Sequence, residues 1–174
     1  MLPPIHALVI MGVAGCGKSS VGQALCRLNG AMPIEGDAFH PPGNIRKMSA
    51  GIPLTDEDRD GWLGILCDEL RHAVAAGRRP VLSCSALKRS YRERLRQAVP
   101  GLGFVYLELS PAVAARRVAE RPGHFMPASM IDSQFATLEP PVDEPLTLVL
   151  DASRQDILQL AAAAEQWWRQ HAPD

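Results

Sequence analysis

Short uninterrupted apolar runs alternate along this chain with longer stretches in which apolar residues return every three or four positions. The runs His6 to Met11, Met32 to Glu35, Pro80 to Cys84, Phe104 to Leu109 and Leu146 to Leu150 have the length and composition of buried strands. The periodic stretches between and after them read as helices. Ser19 to Leu28 is the first. A second starts near Thr55, where Thr55 and Asp58 have capping-box spacing, and its Trp62, Leu66, Leu70 and Val74 fall four apart on one face. Lys88 to Val99 and Ala112 to Glu120 follow. The last helix spans Arg154 to Gln170, with Ile157, Leu158, Ala161, Ala164, Trp167 and Trp168 available to pack. Strands with no polar face that alternate with helices predict a three-layer α/β fold, a parallel sheet covered on both faces. Ligands of such sheets sit outside the carboxyl ends of the strands, so the residues just after each run are where chemistry is expected.

Composition narrows the classes. A chain of 174 residues suits one domain, 1–174, around one core. Lys and Arg number 18 against 19 Asp and Glu, and no basic block stands out, which argues against nucleic acid as a partner. Cys16, Cys26, Cys67 and Cys84 form no C-x-x-C pair, so a zinc or redox site is not expected and a cytoplasmic, reducing setting is. The start Met1-Leu2-Pro3-Pro4 lacks the basic n-region of a signal peptide. No apolar run approaches the ~18 residues of a membrane helix, so no membrane partner is expected.

Gly12-Val13-Ala14-Gly15-Cys16-Gly17-Lys18-Ser19 fits the pattern G-x-x-x-x-G-K-S/T, with a strand before it and a helix, opening on Ser19 and Ser20, after it. A glycine-rich turn of this kind aims backbone N–H groups at phosphates, and the helix dipole adds partial positive charge. Lys18 would reach the β- and γ-phosphates, and the Ser19 hydroxyl would ligate Mg²⁺.

Candidate chemistry follows the other strands. Glu35-Gly36-Asp37 places two carboxylates at the ligand edge of the sheet. One could hold metal-bound water while Asp37 orients an acceptor hydroxyl; both residues also read as ordinary turn formers. His40 stands out only through its place beside Asp37. Arg59 sits in the first turn of a helix, a poor position for a cation; either Asp56, Glu57, Asp58 and Asp60 compensate it, or it points to an anionic ligand. Lys88 opens a helix at its anion-favouring end, or is merely solvated. Arg117 and Arg121, four apart, share a helix face and would repel without an anion between them, though a solvated basic face is the ordinary alternative. Two Gly- and Pro-containing stretches, Pro41 to Pro53 and Arg121 to Pro127, read as loops that could close over the phosphate turn.

Taken together, Met11 to Ser19, Glu35-Gly36-Asp37, His40-Pro41, Asn44 to Met48, Gly51 to Arg59, Trp62-Leu63, Cys84 to Lys88 with Tyr91-Arg92, Arg121 to Phe125, Gln134-Phe135 and Thr137 to Pro140 resemble the bacterial-type gluconokinases. These are small kinases similar to shikimate and nucleoside-monophosphate kinases. The resemblance implies a sheet of five parallel strands in the order 2-3-1-4-5, a substrate segment at about 37–60 and a lid at about 121–137. It implies ATP, Mg²⁺ and D-gluconate as ligands, with 6-phospho-D-gluconate and ADP as products, and suggests a homodimer. It matches Asp37 to the acceptor-binding acid and Arg117 and Arg121 to the adenine-side and lid arginines. Arg121 would join Lys18 and Asp37 in catalysis, while His40, Arg59, Lys88 and His124 would hold the sugar acid. Ala14 and Cys16 stand where serines are common, at positions that need give phosphate no side chain. Rival readings are a kinase of the same fold with another small acceptor, and a nucleotide switch with none. The N-K-x-D segment of a guanine-reading switch is absent.

Overall fold

Every residue of the first strand, β1 (Ala7–Met11), is buried, as a strand covered on both faces must be. A computed structural model describes residues 2–120 and 130–174. After β1 come α1 (Lys18–Asn29), β2 (Met32–Glu35), a 3₁₀ turn at Gly36–Phe39, α2 (Pro42–Ser49), α3 (Asp56–Ala75), β3 (Pro80–Ser83) and α4 (Arg89–Ala98). Then follow β4 (Leu102–Glu108), α5 (Pro111–Ala119), α6 (Met130–Thr137), β5 (Thr147–Asp151) and α7 (Ile157–Gln170). The sheet order is β2-β3-β1-β4-β5, with all neighbours parallel. The fold class and strand order expected from the sequence are thus found.

Alternation along β1 divides the core. Leu8 and Ile10 pack with Val21 and Leu25 of α1 and with Leu160, Ala161, Ala164 and Trp168 of α7. Ala7, Val9 and Met11 pack with Trp62, Leu66 and Leu70 of α3 and with Tyr91 and Leu95 of α4. Burying each large aliphatic or aromatic side chain here contributes about 1.5–3 kcal/mol. Trp168 belongs to this chain's own core: it is fully buried, and its Nε1–H donates to the Ile5 carbonyl at 3.0 Å.

The connections after β1 and β3, which are neighbours, lead to opposite sides of the sheet, and the crevice between them is the topological switch point. The Gly12 N–H donates across it to the Ser85 carbonyl at 3.3 Å. The loop after β3 is fixed from behind by Arg92, which is fully buried. Its guanidinium donates to the carbonyls of Ala86 (2.8 Å), Leu87 (3.1 Å) and Glu139 (2.7 Å) and pairs with Glu144 at 2.6 Å. Burial alone would raise the Glu144 pKa, but the bonds from Arg92 and Arg96 outweigh it and hold the carboxyl below its usual range.

Three expectations need correction. Pro41 to Pro53 is not an open flap, because α2 occupies most of it. Pro42 sits in the first turn, where a helix has no use for its missing N–H, and Asn44 and Met48, four apart, bury one face. Lys88 precedes its helix instead of opening it, and the first N–H of α4, from Arg89, is taken by the Glu139 carboxylate at 2.7 Å. Leu158 is 73% exposed. The helix starts later than the periodicity suggested, at Ile157 behind an Asp156–Gln159 capping box, and its phase turns Leu160 inward instead. The Thr55–Asp58 capping box on α3 is present as expected.

Gly36 marks where β2 must approach β3 closely. A Cβ there would lie 2.6 Å from the Ser83 carbonyl oxygen, inside contact distance of sheet backbone that cannot yield cheaply. Gly36→Ala is expected to cost roughly 1–3 kcal/mol in urea denaturation; an unchanged midpoint would contradict the close packing of β2 beneath the site.

Candidate active site

Gly17 ends the turn after β1 with φ 95° and ψ 19°, a left-handed conformation that suits glycine. It is the N-cap of α1, and it provides no side chain to cap the helix. The first turn carries no acid either. The amino end of α1 therefore keeps its N–H groups and its partial positive charge for an anion. Val13 and Cys16 are buried, and the Cys16 N–H donates to the Val13 carbonyl at 3.2 Å within the turn. Lys18 Nζ donates back to the Val13 carbonyl at 3.2 Å, and Ser19 Oγ donates to Glu35 Oε2 at 2.5 Å. The first acid of the Glu35-Gly36-Asp37 segment thus touches the hydroxyl expected to meet a metal.

Two clefts flank this turn. One, of about 190 Å³, is lined by Ala14, Lys18, Ser19, Asp37, His40 and Arg59 among others. The other, of about 460 Å³, is lined by Arg117, Asp156, Ile157 and Leu160. Gly15, Gly17 and Ser20 line both, so the phosphate turn is the shared wall. Arg117 reaches over that wall, donating to the carbonyls of Gly15 (3.3 Å) and Ala152 (2.9 Å).

The 3₁₀ turn after β2 swings Asp37 into the first cleft. Behind it lies His40, buried, its ring stacked on Trp62 with centroids 4.1 Å apart and planes 14° from parallel. The Trp62 indole N–H donates to the Gly36 carbonyl at 2.8 Å, tying α3 to the turn. His40 Nε2 is 3.7 Å from Asp37 Oδ1, and Asn44 Nδ2 lies 3.2 Å from His40 Nδ1. Burial pushes the His40 pKa down; Asp37 opposes the shift and Arg59 reinforces it. On the far wall, Arg59 Nη1 donates to the Leu54 carbonyl (2.9 Å) and the Tyr91 hydroxyl (3.2 Å). Tyr91 donates in turn to Asp56, whose carboxylate also pairs with Lys88 at 2.8 Å. The bonds from Lys88 and Tyr91 hold Asp56 below the usual carboxylate range. Asp58 is pulled to about 2 by Lys47 and by the Thr55 backbone, which locks α2 against the start of α3.

Among the sequence candidates, Lys18, Ser19, Asp37, His40 and Arg59 line the first cleft together. Arg117 lies in the second. Lys88 is not among the residues lining either cleft; it is turned to Asp56 and reaches the site only through Tyr91 and Arg59. Arg121 and His124 lie outside the described residues, as does most of the expected lid. Sequence reasoning gave no role to Asn44, Tyr91 or Gln134. Gln134, on α6, accepts from the Ala14 N–H at 2.7 Å, which brings that helix onto the phosphate turn. All three stand inside segments of the family resemblance, and that was their only sequence signal. Among the described residues, no three His, Cys, Asp or Glu side chains converge to cage a metal ion.

A family model described as an AAA domain matches residues 8–141. A gluconokinase of Gluconobacter oxydans (strain 621H) is 50% identical over 87% of this chain and 85% of its own length. The thermoresistant gluconokinase of Escherichia coli (strain K12) is 42% identical, with 84% of each chain covered. The crystal structure of a gluconokinase from Sinorhizobium meliloti 1021 superposes with a TM-score of 0.85 at 47% identity, covering 99% of this chain and 95% of that one.

The depressed pKa of His40 has a consequence for stability. Below about pH 6.5 the unfolded chain takes up a proton at this residue that the fold resists, so stability falls as pH drops toward the folded value. Between about pH 7.5 and about pH 5.5, the urea midpoint of the unmodified protein is expected to fall further than that of His40→Gln. Parallel losses in the two proteins would contradict a buried neutral imidazole.

Proposed function

The chain belongs to the gluconokinase family, and from that premise we propose that it transfers the γ-phosphoryl group of ATP to the 6-hydroxyl of D-gluconate, giving 6-phospho-D-gluconate and ADP. The observation that carries the reading is the shared wall. Gly15, Gly17 and Ser20 separate a cleft holding Lys18 and Asp37 from a cleft holding Arg117, so a donor and an acceptor can meet across one turn.

In this reading the triphosphate lies along the turn and the amino end of α1, and the adenine side extends toward Arg117, Asp156 and Ile157. Lys18 exchanges the Val13 carbonyl for β- and γ-phosphate oxygens. Phosphoryl transfer demands mainly alignment and charge neutralisation. Asp37 accepts a hydrogen bond from the 6-hydroxyl and aims it in line with the γ-phosphorus. As the new O–P bond forms and the bond to ADP breaks, the hydroxyl proton leaves toward Asp37. Arg59, held by Leu54 and Tyr91, and His40 face the sugar acid, with Arg59 suited to its carboxylate. Lys88 serves through the Asp56–Tyr91–Arg59 chain. Arg121 as a catalytic group and His124 as a substrate contact rest on the sequence resemblance alone.

Ser19 and Glu35 set two hard oxygen donors side by side, which fits Mg²⁺, an ion that takes few protein ligands and fills its shell with phosphates and water. Bound there with the nucleotide, Mg²⁺ would neutralise charge on the β- and γ-oxygens. A cytoplasmic location agrees with four free, buried thiols. A homodimer is proposed from the family alone.

The reading is tested by a panel of acceptors with coupled detection of ADP. Rapid turnover with D-gluconate, and turnover orders of magnitude slower with glucose, shikimate or a nucleoside monophosphate, is the expected result. Equal rates across the panel would favour a kinase of the same fold with another substrate, and ADP release without any acceptor would favour a nucleotide switch. Asp37→Asn is expected to retain ATP binding while kcat falls about 10²–10⁴-fold. Lys18→Ala should impair turnover with every acceptor alike, and a loss confined to gluconate would contradict its assignment to the nucleotide.

A further inference from the structure

Asn44 is not among the residues lining either cleft, yet its amide meets the ring of His40, whose other nitrogen faces Asp37. The side chain is buried on α2, and the same atom, Nδ2, lies 3.0 Å from the Asp58 carbonyl oxygen and 3.2 Å from His40 Nδ1. A backbone carbonyl only accepts, so the amide group beside it is the NH₂. Its second hydrogen is then directed at the imidazole, and the ring nitrogen there must carry a lone pair. The ring proton is left on Nε2, which faces Asp37 Oδ1 at 3.7 Å. At 3.7 Å the carboxylate is beyond hydrogen-bonding distance, but its negative charge favours a proton on the nitrogen that faces it, the same tautomer that Asn44 requires. Stacking on Trp62 holds the ring in that plane.

We infer that Asn44 is a positioning residue for the transfer reaction: it fixes His40 as the neutral Nε2–H tautomer, a donor toward Asp37 that does not become a competing base. The inference rests on the reading of Asp37 as the group that aligns the acceptor. The opposite tautomer would set a bare nitrogen lone pair against the Asp37 carboxylate and an N–H against the Asn44 NH₂. An imidazolium would meet the same donor–donor clash at Nδ1, and it would hold Asp37 in an ion pair that weakens its hold on the acceptor hydroxyl. Among the described residues, the charged groups acting on the ring are Asp37 from the 3₁₀ turn, which favours its charged form, and Arg59 from α3, which disfavours it. Both act on whether the ring is charged, whereas the Asn44 amide acts on which nitrogen carries the proton of the neutral ring. Asp58 anchors that amide through its backbone, while its carboxylate caps α3 and binds Lys47.

The test has two arms. In ¹⁵N spectra of the imidazole groups of the unmodified protein near neutral pH, His40 is expected to show a protonated Nε2 and an unprotonated Nδ1. A proton on Nδ1, or rapid averaging between the two forms, overturns the inference whether or not any variant folds. In the second arm, Asn44→Asp replaces the donor at Nδ1 by an acceptor. The His40 proton should move to Nδ1 or the ring should become charged, with kcat on gluconate down about 10- to 100-fold and the KM for ATP nearly unchanged. A variant with the altered proton position and unmodified kcat also overturns the inference, as does one with the Nε2–H form and a depressed kcat. Failure of the Asp37 reading shows itself separately, as near-normal turnover in Asp37→Asn, and leaves the spectroscopic arm intact.

Discussion

A backbone turn that offers its N–H groups to an anion is the constraint from which the rest of this structure follows. Gly17 enters α1 in a left-handed conformation and brings no capping side chain, and the first turn of the helix has no acid to take the N–H groups itself. Three other helices are closed at their amino ends by side chains: Thr55 and Asp58 cap α3, Asp156 and Gln159 cap α7, and the Glu139 carboxylate takes the Arg89 N–H of α4. The amino end of α1 has no such side chain and opens onto both clefts. That end can face a ligand only at the switch point of the sheet, and β1 must therefore be central and buried on both faces, as it is.

Around this turn, polar groups are held by one another before any ligand arrives. Lys47, Asp58 and Asn44 lock α2 to α3; Trp62 and His40 lock α3 to the turn that bears Asp37; Tyr91 and Asp56 hold Arg59 and Lys88. The side of the first cleft that carries Asp37, His40 and Arg59 is thus built largely from α3 and from short segments pinned to it. Side chains restrained in this way lose little further entropy when a substrate seats, which lets binding contribute to alignment.

What was legible in the sequence was local. The apolar run before Gly12, the glycine pattern and the following helix lie within one stretch and identify one another, and the same holds for the Thr55–Asp58 cap. Strand order followed from family resemblance, since no periodicity encodes which strands are neighbours. The helix α2 was hidden because Pro41, Pro42 and Gly43 read as loop, although proline in a first turn suits a helix. The bond of Lys88 to Asp56 was not legible because that partner is 32 residues away, and nothing near Lys88 announces it. Arg117 was singled out by its spacing with Arg121 and by the resemblance, but its bond to the Gly15 carbonyl, 102 residues distant, exists only in the fold. Asn44 matters through the backbone of Asp58, a contact that exists only once two helices have docked.

The central claim is that Asp37 and the phosphate turn serve one reaction across one cleft. A crystal structure with D-gluconate and a non-hydrolysable ATP analogue bound together tests it most directly. The account predicts the 6-hydroxyl within hydrogen-bonding reach of the Asp37 carboxylate and in line with the γ-phosphorus, with the phosphates along Gly15 to Ser19. Gluconate seated away from Asp37, or phosphates bound off the amino end of α1, would contradict it.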